Sequence, residues 1–264
     1  MYKNYNMNQL ILPLDLEVKL QKNDIAFHIH HLVESIPREA FAPFYQETGC
    51  PSYHPKMMLK IILCGYTQSV FSGRRIEDLT KDSIRMKWLA QGYEPSYRTI
   101  NRFRIHPQMQ ELLRQCFVQF RCQLVEEKLT NQRAIFMDGT KIEANAKLMG
   151  ERNSYSKIDT DATFMRMKDD YMKNGQLKPG YNLQVATENQ YTLTYDVYPN
   201  PTDTKTLAPF LETITDQYFE LPKHIVADAG YGSEVNYQNV LEIHERIPLI
   251  PYNMYRKEGK KKFK

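Results

Sequence analysis

The chain is poor in the residues that mark secreted and membrane proteins. Its 264 residues include only four cysteines, none in a Cys-x-x-Cys spacing: Cys50, Cys64, Cys116 and Cys122. Such usage predicts reduced thiols in an intracellular protein, and it argues against a disulfide framework. No run of about 18 apolar residues is present, so we expect no membrane span. The first residues also lack the pattern of a signal peptide.

Positive charge is concentrated at one end of the chain. The formal net charge is +4, but the last nine residues alone hold six Lys or Arg and one Glu. The overall charge is therefore weak evidence for a nucleic-acid partner, and local clusters must decide. The basic tail, residues 257–264, is expected either to bind DNA non-specifically, with strong salt dependence, or to be a disordered tail.

The first 130 residues show the apolar spacing of helices. The longest amphipathic stripe fits one helix face: Met109, Leu112, Leu113, Cys116, Phe117, Phe120 and Leu124. Asp24 is a candidate N-cap for an earlier helix. A further helix is predicted to begin after Ser72 and to stop at Gly92.

From Arg133 onward the pattern becomes strand-like. The predicted order is strand, strand, strand, helix, strand, helix, strand, and a polar stretch follows the first strand as far as Gly180. The second and third strands, YNLQVAT and TLTYDVYP, are joined by ENQ as a hairpin turn. Asp203 or Thr204 is expected to cap the helix that follows.

Two aspartates each end a short apolar run and have a glycine one or two residues later. They are Asp138 in AIFMDGT and Asp228 in HIVADAG. Carboxylates at strand ends can converge on divalent metal ions, and a pair of metal ions can drive phosphodiester chemistry. The adjacent glycines would let backbone and substrate approach closely. The alternative is a pair of solvated turn residues, since Asp-Gly is a common turn signal.

Seven blocks in the same order resemble the DDE transposases of bacterial insertion sequences. They are YHPKMMLKIILCGYTQSVFSGRRIE, PSYRTINRFR, IFMDGTKIEANA, NSYSKIDTDATFMRMKD, LKPGYNLQVATE, PTDTKTLAPFLE and IVADAGYGSEVNY. The resemblance implies a mixed α+β and α/β chain, with an N-terminal all-helical region at 1–130. An RNase H-like mixed-sheet core would follow at 131–256, incomplete at its C-terminus.

The resemblance also assigns roles to the two aspartates. Asp138 would be the ligand shared by two Mg²⁺ (or Mn²⁺) ions, and Asp228 would be the second ligand. The family's third ligand is a glutamate on a helix beyond the fifth strand. Neither Glu234, too close to Asp228, nor Glu258, in a basic run, fits that role. The family's long charged insertion after IFMDGTKIEANA is also missing, so we expect a truncated, internally deleted copy with weak or no activity alone.

The segment EPSYRTINRFR is the candidate for DNA contact. Ser96 can cap a short helix that buries Ile100 and Phe103. The outward positions would then suit base edges and phosphates: Arg98, Thr99, Asn101, Arg102 and Arg104. With the preceding helix, residues 72–104 resemble a helix-turn-helix pair, and Arg74 and Arg75 could add backbone contacts. The alternative is a solvated amphipathic helix.

These features predict a transposase that binds double-stranded DNA at element terminal repeats and at a target. It would catalyse metal-dependent cleavage and strand transfer in the bacterial cytoplasm, associated with the nucleoid. It could act as a homo-oligomer or together with an intact transposase. Two alternatives remain open at this point: a non-catalytic DNA-binding remnant that interferes with an intact relative, and a metal-dependent nuclease of RNase H-like fold.

Overall fold

A computed structural model of the chain describes residues 20–45, 52–144, 161–167 and 177–252. The chain divides into two units, Met1–Gln119 and Phe120–Lys264. Each unit has its own hydrophobic core. The two are therefore described one after the other.

The first unit is helical, as predicted. Its elements are α1 (Ile25–Ser35), a 3-10 helix (Arg38–Phe44), α2 (Pro55–Thr67), α3 (Gly73–Asp82), α4 (Ile84–Ala90), α5 (Tyr97–Arg104) and the start of α6 (Met109–Glu126). The Asp24 carboxylate caps α1 by accepting the Ala26 N–H at 2.9 Å. Arg85 of α4 donates two hydrogen bonds to the same carboxylate, at 2.6 and 2.7 Å. This charge-assisted pair joins the starts of two helices.

The single helix predicted between Ser72 and Gly92 is wrong. Ser83 has an extended backbone there and accepts the Met86 N–H at 3.4 Å, so it caps a new helix, α4. The stop is confirmed: α4 ends at Ala90, and Gln91 and Gly92 both adopt positive φ. A serine inside an amphipathic pattern therefore divides the region into two shorter helices.

Helix α2 forms the centre of the first core. Its apolar side chains are buried around most of its circumference, as expected for a helix enclosed by others: Met57, Met58, Leu59, Ile61, Ile62 and Cys64. Lys60 is also buried, and its ammonium group lies 2.6 Å from a carboxylate oxygen of Glu34. Lys56 pairs with the other oxygen of Glu34 at 2.9 Å. A buried lysine is tolerated here because a carboxylate accompanies it.

The second unit contains a mixed sheet. Its strands are β1 (Ala134–Glu143), β2 (Thr163–Arg166), β3 (Leu177–Glu188), β4 (Tyr191–Tyr198), β5 (His224–Ala227) and β6 (Ile247–Leu249). β3 pairs antiparallel with β1, β2 and β4. β5 is parallel to β1, and β6 is parallel to β5. Three long antiparallel strands followed by two parallel ones give the RNase H-like arrangement that was predicted.

Two details of the sheet differ from the prediction. The short strand β2 lies in the stretch predicted to be irregular, and β3 begins at Leu177 rather than at Tyr181. β2 has only four residues, too few for an alternating pattern to be recognised. The hairpin turn is confirmed, because Asn189 and Gln190 both take positive φ, as a tight hairpin turn requires.

Helices fill the connections between the later strands. α7 (Leu207–Gln217) lies between β4 and β5, and α8 (Glu234–Gln238), continued by a π-helix (Asn239–Ile243), lies between β5 and β6. Short 3-10 helices precede α7 (Asp203–Lys205) and α8 (Ala229–Tyr231). The core under the sheet includes Ile135, Met137, Phe210, Leu211 and Ile225. Within the described ranges, no helix combines the length and apolar character needed to cross a membrane.

Candidate active site

Asp138 lies on β1, and Asp228 directly follows the neighbouring strand β5. β1 and β5 run parallel with Met137 opposite Ala227, and each aspartate is the next residue. Side chains alternate along a strand, so Asp138 lies on the exposed face while Met137 is buried. Asp228 is exposed as well. The structure thus brings together the two residues that the sequence singled out, while their role stays a prediction.

Gly139 leaves room beneath β1 for other side chains. A Cβ atom at this position would lie 2.6 Å from Oδ1 of Asp203, 2.7 Å from Nε2 of Gln184 and 3.1 Å from the hydroxyl of Tyr231. These distances leave no space for a side chain. The sequence predicts close approach of backbone or substrate at this glycine, but the neighbours that approach it are side chains of the protein itself.

Asp203 is a third carboxylate at this edge of the sheet. The Asn182 amide donates to Oδ1 of Asp203 at 2.7 Å, and Gln184 donates to the same oxygen at 3.3 Å. The sequence suggested a capping role, but α7 has Thr206 at its N-cap position and no side-chain capping bond. The capping role is therefore wrong for Asp203. Its carboxylate binds side chains of β3 instead.

Sequence reasoning missed Asp203, although one signal was available. Asn182 and Gln184 occupy alternate positions of β3, and both are fully buried. Polar residues on the buried face of a strand need hydrogen-bond partners. Such a pattern indicates that a polar group from elsewhere in the chain must reach them.

Tyr231 completes the buried network. It is fully buried, and its hydroxyl donates to Oε1 of Gln184 at 2.5 Å. Burial raises the pKa of Tyr231, and the charges of Asp203, Asp138 and Asp228 raise it further. The phenol therefore stays protonated and keeps its donor hydrogen.

The exposed carboxylates suit a hard divalent cation. Within the described part of the chain, no group of three or more His, Cys, Asp or Glu side chains is arranged to hold a metal ion. Mg²⁺, however, keeps several waters and is commonly bound through one or two carboxylates together with substrate phosphates. Asp138 and Asp228 supply two such carboxylates side by side. Their donor set therefore fits Mg²⁺ or Mn²⁺.

Of the two glutamates considered as a third ligand, Glu234 lies within the described residues. Glu234 is exposed in the first turn of α8, as expected for a residue favoured by the helix dipole. Glu258 and the basic tail at 257–264 lie outside the described residues. The region of the missing insertion, after residue 144, also lies largely outside them.

Helix α5 presents arginines at the surface of the first unit. Ser96 caps it by accepting the Thr99 N–H at 3.4 Å, as predicted. Ile100 is fully buried. Arg98, Asn101 and Arg102 are exposed.

Helices α3 and α5 pack closely, which brings their basic residues together. A Cβ atom on Gly73 would lie 2.4 Å from Oδ1 of Asn101. The guanidinium groups of Arg74 and Arg98 lie 5.0 and 5.8 Å from the centre of the Tyr97 ring. The exposed arginines of the two helices are called the arginine surface below: Arg74, Arg75, Arg98 and Arg102.

Arg104 differs from these arginines because it is partly buried and donates to a backbone carbonyl. Its guanidinium donates to the Phe71 carbonyl and, at 3.3 Å, to Oδ1 of Asn101. It also lies over the Tyr66 ring, 5.1 Å from the centre. Arg104 therefore has contacts within the unit, and its predicted DNA contact stays a prediction.

Two family models match parts of the chain. A family model described as a transposase domain (DUF772) matches residues 14–106, and one described as a transposase DDE domain matches residues 152–264. The second match contains Asp203 and Asp228, and Asp138 lies between the two matches. A search of curated proteins finds no significant match.

The chain also has a weak similarity to one solved structure, a Mos1 transposase paired-end complex with the left transposon end. It shares 10% sequence identity, with 88% of this chain and 78% of that chain covered, at a TM-score of 0.26. A TM-score of this size does not establish a shared fold.

Proposed function

Because the chain belongs to the DDE transposases of insertion sequences, we propose that it binds the ends of its own element and cleaves and joins DNA there. The observation that supports this most strongly is that Asp138 and Asp228 each follow one member of the paired residues Met137 and Ala227 on parallel strands. DDE transposases generally use divalent metal ions. The proposed cofactor is Mg²⁺ or Mn²⁺.

The two exposed carboxylates would hold the metal ions, with Asp138 as the shared ligand and Asp228 as the second. Bound metal ions activate water or a DNA 3′-hydroxyl for attack at phosphorus and stabilise the leaving oxygen. The exposure of both aspartates leaves space for phosphate oxygens as further ligands. Gln184 and the protonated Tyr231 would keep the buried side of the site rigid.

The arginine surface would bind the DNA duplex. Arg98, Asn101 and Arg102 are exposed on one short helix and are of the types that reach guanine and adenine edges. Arg74 and Arg75, with Thr99, would contact phosphates. We propose that residues 72–104, in which α3 packs against α5, form the helix-turn-helix-like segment, with α5 as the recognition helix. Its partners would be element-end and target DNA in the bacterial nucleoid, bound as a homo-oligomer or together with an intact transposase.

A second candidate function is DNA binding without cleavage. The observation that favours it is that the arginine surface is built entirely within the first unit, from α3 and α5. DNA binding therefore does not depend on the carboxylates of the second unit. Such a protein would occupy element ends and interfere with an active relative.

Product analysis separates these functions. The full chain is incubated with labelled duplexes that carry the terminal repeats of its own element, with a target plasmid, and with either Mg²⁺ or EDTA. We expect labelled strands joined to the plasmid in Mg²⁺ only, and at low yield for this chain without an intact transposase. Cleavage without joining would indicate a nuclease, and a gel shift without cleavage would indicate the DNA-binding function. The absence of both a shift and cleavage would contradict all three.

A further inference from the structure

We propose that Asp203 is a positioning residue for the site of Asp138 and Asp228, a role that rests on the proposed function. Its carboxylate would hold a fixed negative charge beside Asp228 and so raise the affinity of the site for a divalent cation. This carboxylate lies on neither strand that carries the two aspartates. It comes from the 3-10 helix before α7.

Both side-chain amides that donate to the Asp203 carboxylate donate to the same oxygen. Tyr231 donates to Gln184, whose amide nitrogen donates to Oδ1 of Asn182 at 3.0 Å and to Oδ1 of Asp203 at 3.3 Å. Asn182 also donates to Oδ1 of Asp203, at 2.7 Å. Amide donors stabilise the ionised form of a carboxylate. The network therefore engages one oxygen of Asp203 and fixes the orientation of its carboxylate.

The other oxygen of Asp203 faces the turn that carries Asp228. A Cβ atom on Gly230 would lie 3.3 Å from Oδ2 of Asp203 and 2.9 Å from Oδ1 of Asp228. Oδ2 of Asp203 and Oδ1 of Asp228 are therefore no farther apart than the sum of these two distances. The same Asp228 oxygen accepts the Gly230 N–H at 2.8 Å, so its position is fixed by the turn.

This geometry favours an indirect role over direct ligation. Oδ1 of Asp203 accepts two amide hydrogen bonds on the buried side of the sheet, whereas Asp138 lies on the opposite, exposed face. Carboxylates behind a metal site commonly change metal affinity or activity by about 10- to 100-fold when they are removed. Two like charges at close range also repel when no cation is present. Asp203 would then favour cation binding at some expense to the stability of the metal-free protein.

The test is a titration of the full chain with Mn²⁺ in the absence of DNA. The concentration of free Mn²⁺ is measured by EPR. Asp203→Asn keeps the shape and can still accept from Asn182 and Gln184, but it removes the charge. We expect Mn²⁺ affinity to fall roughly 10-fold, while the melting temperature in EDTA is unchanged or higher. Excess Mn²⁺ should restore DNA cleavage to Asp203→Asn. Asp203→Ala should lower both Mn²⁺ affinity and the melting temperature, since it leaves Asn182 and Gln184 without their acceptor.

Asp216→Asn, an exposed carboxylate of α7, is the matched control and should bind Mn²⁺ as the wild type does. Unchanged Mn²⁺ affinity in Asp203→Asn, with normal binding by the wild type, would overturn the positioning role and leave the proposed function standing. A merely structural role would instead lower the melting temperature of Asp203→Asn without changing its Mn²⁺ affinity. If the wild type bound no Mn²⁺, the proposed function would fail, and the role of Asp203 would fail with it.

Discussion

Oδ1 of Asp203 lies 2.6 Å from the point that a Cβ atom on Gly139 would occupy. The residue after Asp138 is therefore glycine because a carboxylate from a distant part of the chain lies behind it. One backbone position on β1 thus connects an exposed aspartate with a buried polar network. The requirement at Gly139 is for space, since its φ is not among the positive values.

Gly139→Ala should damage the site more than the addition of a single methyl group suggests. The added methyl group would collide with Asp203 and Gln184, and overpacking of this kind costs about 1–3 kcal/mol. We expect a lower midpoint in urea and reduced Mn²⁺ binding. Gly92→Asn is the control, because no atom lies within 4 Å of its Cβ position and asparagine tolerates its φ of 77°. Equal stability of Gly139→Ala and the wild type would contradict the packing described here.

The arginine surface should divide into phosphate and base contacts. Arg75→Ala should weaken binding to all DNA sequences alike and reduce the slope of log K against log salt by about 0.9. Arg102→Ala should instead lower the preference for element ends over other DNA by roughly 10-fold. Fluorescence anisotropy at several salt concentrations measures both effects. Lys22→Ala, an exposed residue of the same unit, should change neither; a comparable effect of Lys22→Ala would show that net charge alone is involved.

Arg104 should contribute to stability, unlike Arg102. Arg104→Ala removes the donor to the Phe71 carbonyl and the contact with the Tyr66 ring, and we expect a loss of about 1–2 kcal/mol. Urea denaturation followed by the fluorescence of Trp88, the single tryptophan, reports on this unit. Arg102→Ala should leave the midpoint unchanged. If Arg104→Ala and Arg102→Ala had the same urea midpoint, the contacts of Arg104 would make no net contribution to the free energy of unfolding.

Glu34 should make the first unit sensitive to acid. Burial alone would raise the pKa of Glu34, but hydrogen bonds and charges from Lys60 and Lys56 outweigh it and lower the pKa to about 2 from 4.5. A depressed carboxyl pKa gives stability that is fully present above pH 4.5 and is lost as the pH falls toward 2. Wild type should therefore exceed Glu34→Gln in stability at neutral pH, and the difference should shrink below pH 4.5. Trp88 fluorescence at each pH measures it, and a difference independent of pH would exclude this linkage.

Local sequence patterns were sufficient for the frame of the fold and for placing Asp138 and Asp228 at one edge of the sheet. Asp138 and Asp228 each end an apolar run, and the ends of parallel strands meet at one edge of a sheet. Asp203 could not be found in this way, because Asn182 and Gln184, which hold it, lie about twenty residues away on another element. The residues around Asp203 also suit a helix cap, so the sequence predicts capping rather than contacts with β3.

Contacts that periodicity does not predict also explain the other differences between prediction and structure. Ser83 interrupts a pattern that otherwise suits one continuous helix, and only its extended backbone shows that it caps a new one. Arg104 shares an amphipathic face with outward residues, but the Phe71 carbonyl lies within its reach. Periodicity predicts which face a residue occupies, whereas the reach of a long side chain depends on the packing of other helices.

The most direct test of the central claim is DNA cleavage as a function of Mg²⁺ concentration, with wild type, Asp138→Asn, Asp228→Asn and the control Asp216→Asn. Labelled element-end duplexes serve as substrate, and the melting temperature of each variant verifies folding. We predict Mg²⁺-dependent cleavage by wild type and Asp216→Asn, and a loss of at least about 100-fold in each of the other two variants. Cleavage by folded Asp138→Asn or Asp228→Asn at the wild-type rate would contradict the assignment of these two carboxylates to the reaction.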